Sequence, residues 1–222
     1  MSPRTRYPDP VSLVLYEDPL SPWCLVAERR ITTALELLPG AFRPLRLEPF
    51  PTRTEARALS KTERRAFARI ARRAAREPEA AAIRPDLWLS PDAPLSSMPA
   101  LMALAAARLQ GPTHETALRG AIREAGLVRG LNVSRGDVLL ELAERAGLDV
   151  ARFAGAFAAP ASEQRVQDSF EDALDKGVRD VPALVIGDEW LVVGPRGVEE
   201  YCAILRRYVS ARLGAAPAHT VH

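Results

Sequence analysis

Ser21, Pro22, Trp23 and Cys24 have the spacing of the C-x-x-C motif of thiol redox enzymes, but an oxygen stands where the first sulfur would be. In a complete motif the first cysteine attacks a disulfide as a thiolate, and a second thiol then releases it. A serine hydroxyl is not ionised near neutral pH and forms no stable sulfur–oxygen link. Ser21 and Cys24 therefore cannot run a dithiol cycle unless a thiol from elsewhere takes part.

Cys24 remains as a single thiol, and the sequence leaves two interpretations of it open. It falls within the first turn of a predicted helix, where the helix dipole can lower the pKa of a thiol. Alternatively, Cys24 is a buried and inert thiol. The second cysteine, Cys202, is far away in sequence, on the last predicted helix, and is expected to lie in the core.

The motif lies between a short apolar segment and a helical one. Val11 to Tyr16 predicts a buried strand. A helix is predicted to begin at Pro22, with Ser21 as its N-cap, and to end by Pro39. Phe42 to Glu48 alternates in polarity and predicts a second strand. Two strands joined by a helix predict a parallel β-α-β unit.

The middle of the chain is helical in pattern, and mixed elements follow it. Helices are predicted over Glu55 to Glu77, Pro99 to Leu109, His114 to Ala125, Asp137 to Ala146 and Val150 to Ala158. After these, Ser162 to Lys176 predicts a helix and Val198 to Leu213 a closing helix. Between them, Pro182 to Gly187 and Trp190 to Val193 predict a hairpin. The order is β-α-β, a helical block, then α-β-β-α.

One predicted helix carries a run of arginines at helical spacing, with few acids opposite. These are Arg64, Arg65, Arg69, Arg72, Arg73 and Arg76. Such a run is usually a solvated helix face, and the other interpretation is a surface that attracts an anionic substrate or partner.

Composition argues against several classes of protein. The 222 residues include 30 basic and 28 acidic side chains, and this balance is not that of a nucleic-acid-binding protein. No apolar stretch approaches the ~18 residues that cross a bilayer. The start of the chain has no apolar signal-peptide region, so we expect a cytoplasmic protein. Three histidines, two of them in the C-terminal tail, and two cysteines far apart in sequence do not predict a metal site.

Four stretches resemble DsbA-type proteins of the thioredoxin-fold superfamily, and within them the FrnE-like branch. Asp18 to Cys24 resembles the active-site turn D-x-x-C-P-W-C, and Gly177 to Ile186 resembles the segment G-V-x-G-V-P-x-F-x-I with its cis-proline. The other two stretches are Ala121 to Val133, followed by Val138 to Ala143, and the turn from Val193 to Gly197.

The resemblance implies an α/β thioredoxin fold with a mixed central sheet and an all-helical domain inserted between its halves. The thioredoxin-like domain would comprise residues 1–52 and 162–222, and the helical domain residues 53–161. The peptide bond before Pro182 would be cis. Two departures stand out: Ser21 replaces the attacking cysteine, and Ser96 to Met102 lacks the N-T-x-x-A-H-R pattern common in the family.

The resemblance also implies a site in the cleft between the domains. Its catalytic residues would be Ser21 and Cys24, and its substrate-binding residues Pro22, Trp23, Val181 and Pro182. The first functional hypothesis is an oxidoreductase homologue that acts on a thiol or disulfide substrate through the single thiol of Cys24. Such an enzyme requires no cofactor, and its partner would be a thiol-containing small molecule or peptide. Exposed helical faces are compatible with a homodimer.

Two other hypotheses stay open. The turn is also similar to the S-P-Y-S-like turns of kappa-class glutathione transferases and hydroxychromene-carboxylate isomerases. By that resemblance Ser21 would donate a hydrogen bond to the thiolate of glutathione as cosubstrate, and Val181 would offer backbone groups to the cysteinyl part. The third hypothesis is a non-catalytic module that binds a peptide or small molecule beside Val181 and Pro182.

Overall fold

Four short strands form the central sheet of the computed structural model, which describes residues 10–214. The strands are β1 (Leu13–Glu17), β2 (Arg46–Pro49), β3 (Ala183–Ile186) and β4 (Trp190–Val193). They lie in the order β2-β1-β3-β4, with β1 parallel to β2 and antiparallel to β3, and β3 antiparallel to β4. The predicted parallel pair and the predicted hairpin are both confirmed.

The second strand is shorter than predicted. It begins at Arg46, whereas the sequence pattern placed its start at Phe42. Phe42 forms only an isolated parallel bridge with Val11. Pro44 lies between the bridge and the strand, and a proline has no backbone N–H to donate to a neighbouring strand. The prediction of a continuous strand over this segment is therefore wrong in its first part.

The helices of the described chain account for most of its length. They are α1 (Pro22–Glu36), α2 (Lys61–Ala74), α3 (Met98–Arg108), α4 (Pro112–Arg123), α5 (Gly136–Arg145), α6 (Val150–Ala158), α7 (Pro160–Asp175) and α8 (Val198–Gly214). Short 3-10 turns cover Pro78–Ala80 and Pro85–Leu89, and a π-helical turn, Glu124–Val128, follows α4. Within residues 10–214, no helix combines the length and the apolar character needed to cross a bilayer.

The start of α2 differs from the prediction for a local reason. The helix begins at Lys61 and not at Glu55, because Ser60 and Glu63 form a capping box. The Glu63 N–H donates to Ser60 Oγ at 3.2 Å, and the Ser60 N–H donates to Glu63 Oε2 at 2.8 Å. The residues before Ser60 therefore lie outside the helix, although their composition suits one.

Helices cover both faces of the sheet. Ile31 of α1 and Leu205 of α8 share one buried cluster with Leu15 of β1. On the opposite face, Ala173 of α7 packs with Val14 of β1. This sandwich places the end of β1, and the turn that follows it, at an edge of the thioredoxin-like layer.

The helices between β2 and α7 form a hydrophobic cluster of their own, which includes Leu118 of α4. Val26 of α1 belongs to the same cluster, so the inserted helices pack directly on the helix that carries the motif. The domain boundaries, 1–52 with 162–222 and 53–161, stay a prediction.

Buried charges tie α4 to the sheet. The side chain of Glu17, the last residue of β1, has no exposed surface, and it pairs with Arg119 and Arg123, with Arg123 Nη2 at 2.9 Å from Glu17 Oε2. Arg123 also pairs with Glu28 of α1, and Arg119 pairs with Glu115 at 2.6 Å. A charge taken out of water must keep its partners, so this network fixes α4 against β1 and α1.

We expect Arg123→Ala to lower the free energy of unfolding by about 3 kcal/mol, because Glu17 and Glu28 each lose a partner. Denaturant unfolding followed by circular dichroism measures this change. The control is Arg145→Ala. Arg145 pairs with Glu141 at 2.5 Å, but these side chains are 58% and 59% exposed, so the free energy of unfolding should fall much less. Equal losses in the two variants would contradict the role given to the buried network.

Candidate functional site

Asp18 organises the turn that leads from β1 into α1. Its side chain has no exposed surface; Oδ1 accepts from the Leu20 N–H at 2.9 Å, and Oδ2 accepts from the N–H and hydroxyl of Thr52 at 3.0 and 2.6 Å. Burial raises the pKa of Asp18, and the hydrogen bonds from Thr52 oppose this shift. The carboxylate thus holds the turn against the segment after β2. The Asp18 carbonyl in turn accepts from the Ser21 N–H at 2.9 Å.

Ser21 is the N-cap of α1, as predicted. Its backbone is extended, and its Oγ accepts from the Cys24 N–H at 3.4 Å. Pro22 occupies the first helical position. A hydroxyl has one donor hydrogen besides its acceptor lone pairs, so the cap does not use the Ser21 hydrogen. The same side chain is within hydrogen-bond reach of the Cys24 sulfur, where it lowers the pKa of the thiol, and a ligand that accepts from Ser21 takes the place of this sulfur. Ser21 is partly exposed, and a ligand can therefore reach it.

Cys24 lies behind this turn, where solvent does not reach it. Its relative exposure is 0%. Burial raises the pKa of the Cys24 thiol, and the negative charge of Glu17 adds to the shift. Together they outweigh the hydrogen bonds from the Ser21 side chain and the Asp18 backbone, which lower the pKa of the thiol. Of the two interpretations that the sequence left open, the structure therefore favours the buried and inert thiol.

The peptide bond between Val181 and Pro182 is cis, as predicted. Pro182 is buried and Val181 is partly exposed. The Val181 N–H donates to Oδ1 of Asp180 at 2.8 Å. Because Asp180 is exposed, its carboxylate can rotate away, and a ligand that pairs with this N–H must first displace it.

Ser21 and Val181 line one cavity, whose volume is about 330 Å³. Pro22 and Trp23 are also in its wall, whereas Cys24 and Pro182 do not line it. The rest of the wall comes from residues that the sequence analysis did not assign to the site: Leu20, Thr52, Arg53, Phe67, Ile70, Trp88, Ser97 and Asp180. The volume suits a small-molecule ligand.

Arg53 and two aromatic rings form a side of the cavity that the sequence analysis did not predict. Phe67 and Trp88 stack with their ring centroids 4.9 Å apart, and the Arg53 guanidinium lies 5.9 Å from each centroid. Arg53 also donates to the carbonyls of Pro94 and Leu95. These contacts hold its positive charge in place at the wall. The three residues come from different segments of the chain, so no local sequence pattern predicts that they lie together.

The cavity combines a hydrogen-bond donor with a helix N-terminus and an arginine. The N-terminus of α1 and the Ser21 hydroxyl both favour an anion beside Ser21. Arg53 adds a cation to the wall, and Asp180 adds an anion at another point. The described wall contains no thiol, so this arrangement suits binding of an anionic sulfur better than thiol–disulfide exchange.

A larger groove of about 710 Å³ lies between α1, the segment around β2 and α4. Its charged wall includes Glu28, Arg119 and Arg123, which already pair with one another or with Glu17. These groups have their electrostatic partners within the protein. We therefore assign the candidate site to the smaller cavity at Ser21.

We expect Cys24 to resist alkylation in the native protein at about pH 8.5, where an ordinary cysteine is half ionised, because burial keeps its thiol protonated and inaccessible. Iodoacetamide labelling followed by mass spectrometry measures this in a Cys202→Ser background. The same protein in denaturant provides the control, and Cys24 should then label fully. Rapid labelling of the native protein would contradict the assignment of Cys24 as inert.

Comparisons with known proteins agree with this architecture. A crystal structure of a Nitrosomonas europaea protein described as a protein disulfide isomerase has a TM-score of 0.73 and 20% identity, with 91% of this chain and 99% of that one covered. A Streptomyces coelicolor protein described as a DsbA oxidoreductase has a TM-score of 0.70 and 20% identity, with coverage of 96% and 94%. The cytosolic disulfide reductase DsbM from Pseudomonas aeruginosa, with GSH, has a TM-score of 0.65 and 22% identity, with coverage of 91% and 99%. At these identities the likeness establishes the fold.

The sequence itself carries the family assignment. No curated protein sequence matches the chain significantly. The family model for the DSBA-like thioredoxin domain, however, matches residues 12–205, which include both the Ser21 turn and the cis-proline. The solved structures that resemble it include a DsbA oxidoreductase and a disulfide reductase. The chain belongs to the family of DSBA-like thioredoxin domains.

Proposed function

We propose that the protein binds glutathione with its sulfur beside Ser21 and acts as a glutathione-dependent transferase or isomerase. The observation that carries this proposal is the state of the Ser21 hydroxyl. Ser21 lines the cavity at the N-terminus of α1, and its oxygen accepts from the Cys24 N–H at 3.4 Å. The cap does not use the hydroxyl hydrogen, which can turn from the buried Cys24 sulfur to a bound thiolate.

The proposed chemistry needs no redox step. The glutathione thiol releases its proton to solvent on binding, and the Ser21 hydroxyl and the helix N-terminus stabilise the thiolate. The thiolate then attacks an electrophilic carbon of a second substrate and forms a carbon–sulfur bond. In a transferase the leaving group departs with its electron pair. In an isomerase the same carbon–sulfur bond breaks later and returns the thiolate.

Glutathione carries two carboxylates and one ammonium at neutral pH, and the cavity offers partners for one of the carboxylates and for the ammonium. Arg53 provides a cation for a carboxylate and Asp180 an anion for the ammonium. Val181 provides backbone groups for the cysteinyl part once Asp180 has moved. The apolar surfaces of Trp23 and Phe67 would contact the second substrate.

The alternative in which Cys24 acts as a single redox thiol has less support. Disulfide exchange requires an accessible thiolate, whereas burial keeps Cys24 out of contact with solvent and raises its pKa. A protein of the same fold, the disulfide reductase DsbM, has been crystallised with GSH. That precedent supports glutathione as a ligand of this fold without assigning DsbM's reaction to this chain. Membership of the FrnE-like branch and a cytoplasmic location stay predictions.

We expect Ser21→Ala to weaken glutathione binding about tenfold or more, because the bound thiolate loses a charge-assisted hydrogen bond. Isothermal titration calorimetry measures both affinities. The matched control is Ser60→Ala, which removes the serine N-cap of α2, a residue outside the cavity wall, and should leave binding unchanged.

Two results would contradict this proposal. One is the absence of binding heat from the wild-type protein at about millimolar glutathione, which corresponds to less than about 4 kcal/mol of binding free energy. The other is equal affinity of the wild type and Ser21→Ala, which would favour the non-catalytic binding module.

A further inference from the structure

The outer face of α2 carries a row of cations without ion partners. Arg65, Arg69, Arg72 and Arg73 on α2, and Arg76 in the turn directly after it, are all exposed. Within the described chain none of them forms an ion pair, although arginines on other helices, such as Arg108 and Arg119, are paired with acids. We call Arg69, Arg72 and Arg76 the basic row.

The outer face of α7 carries the opposite charge. Asp168, Glu171 and Asp175 are exposed and have no ion partner among residues 10–214. Asp168 accepts only a neutral hydrogen bond, from Gln164 at 2.7 Å. α7 has no basic residue in its last turn, where the helix dipole disfavours the negative charge of Asp175. We call Asp168, Glu171 and Asp175 the acidic row.

The two rows have the same spacing. In both, the second residue follows the first by three positions and the third follows the second by four. Residues so spaced lie on one face of an α-helix, at heights set by the rise of about 1.5 Å per residue. The acidic row lies wholly within α7, whereas Arg76 lies in the turn after α2, where its N–H donates to the Arg73 carbonyl at 3.2 Å. With the two helices side by side and parallel, Arg69 and Arg72 come opposite two carboxylates in register, and Arg76 follows at the end of the row.

Exposed apolar side chains accompany both rows. Ile70, on α2 beside the basic row, is 40% exposed. Leu191, 38% exposed, lies next to Gly177, just beyond the end of α7. Single exposed ion pairs contribute little, but a row of pairs flanked by apolar contacts can set the orientation and specificity of an association.

We propose that the basic row of one copy of this chain docks on the acidic row of a second copy. The occupant is identified by charge and spacing, because the chain itself carries a complementary row that has no partner within the chain. Ile70 also lines the cavity at Ser21, so the second copy would border the mouth of the candidate site. This proposal does not depend on the reaction proposed above.

Charge reversal tests the contact directly. We expect the wild-type protein to self-associate in sedimentation equilibrium at low salt and to dissociate as salt screens the rows. Arg69→Glu with Arg72→Glu, or Asp168→Arg with Glu171→Arg, should each raise the dissociation constant about tenfold or more, because like charges then face each other. An equimolar mixture of these two variants should associate again, since each supplies the row that the other lacks.

The control reverses two exposed arginines away from both rows, Arg152→Glu with Arg206→Glu, and association should persist. Three results would overturn the proposal. They are a wild-type protein that stays monomeric at low salt, reversal variants that associate like the wild type, and a mixture that fails to restore association. The last would show that the two rows do not face each other.

Discussion

Two consecutive buried carboxylates at the end of β1 determine how the candidate site is built. Glu17 and Asp18 both have no exposed surface, and each is stable there only because donors surround it. Glu17 pairs with Arg119 and Arg123 and so holds α4 against the sheet. Asp18 accepts hydrogen bonds from Leu20 and Thr52 and so holds the turn before Ser21 against the segment after β2. The helical insertion and the motif turn are thus held to the same strand end, and the cavity lies beside it.

The replacement of sulfur by oxygen at residue 21 changes the chemistry without removing the site. The cap on α1, the cis peptide bond before Pro182 and the cavity between them are all present. Cys24 lies beneath the turn, and the neighbouring charge of Glu17 and burial both keep it protonated. We propose that this place stabilises an anionic sulfur, while the protein's own remaining thiol is buried and withheld from exchange.

The sequence predicted those features that depend on local patterns. The N-cap at Ser21, the parallel β-α-β unit and the hairpin follow from proline positions, capping chemistry and short apolar runs. The cis peptide bond before Pro182 followed from the family resemblance. The start of β2 was misplaced because alternation continues through Pro44, whose missing N–H interrupts pairing.

The aromatic side of the cavity could not be predicted in this way. Arg53, Phe67 and Trp88 come from a loop, a helix and a 3-10 turn, and only packing of the inserted helices brings them together. The pairing of Glu17 with α4 is likewise a contact between residues about a hundred positions apart in sequence. Charge and hydropathy patterns along the chain do not predict such contacts between distant residues.

The most direct test of the central claim is the pKa of the glutathione thiol when it is bound. A Cys24→Ala/Cys202→Ala variant has no thiol of its own. Followed below about pH 9, where tyrosines are not yet ionised, the ultraviolet absorbance of the thiolate then reports the glutathione thiol. The account predicts a pKa about one unit or more below the value of about 8.5 typical of a free thiol, and a return towards that value when Ser21 is also replaced by alanine. A bound thiol that titrates like the free one, or a lowered pKa that is unchanged by the loss of the Ser21 hydroxyl, would contradict it.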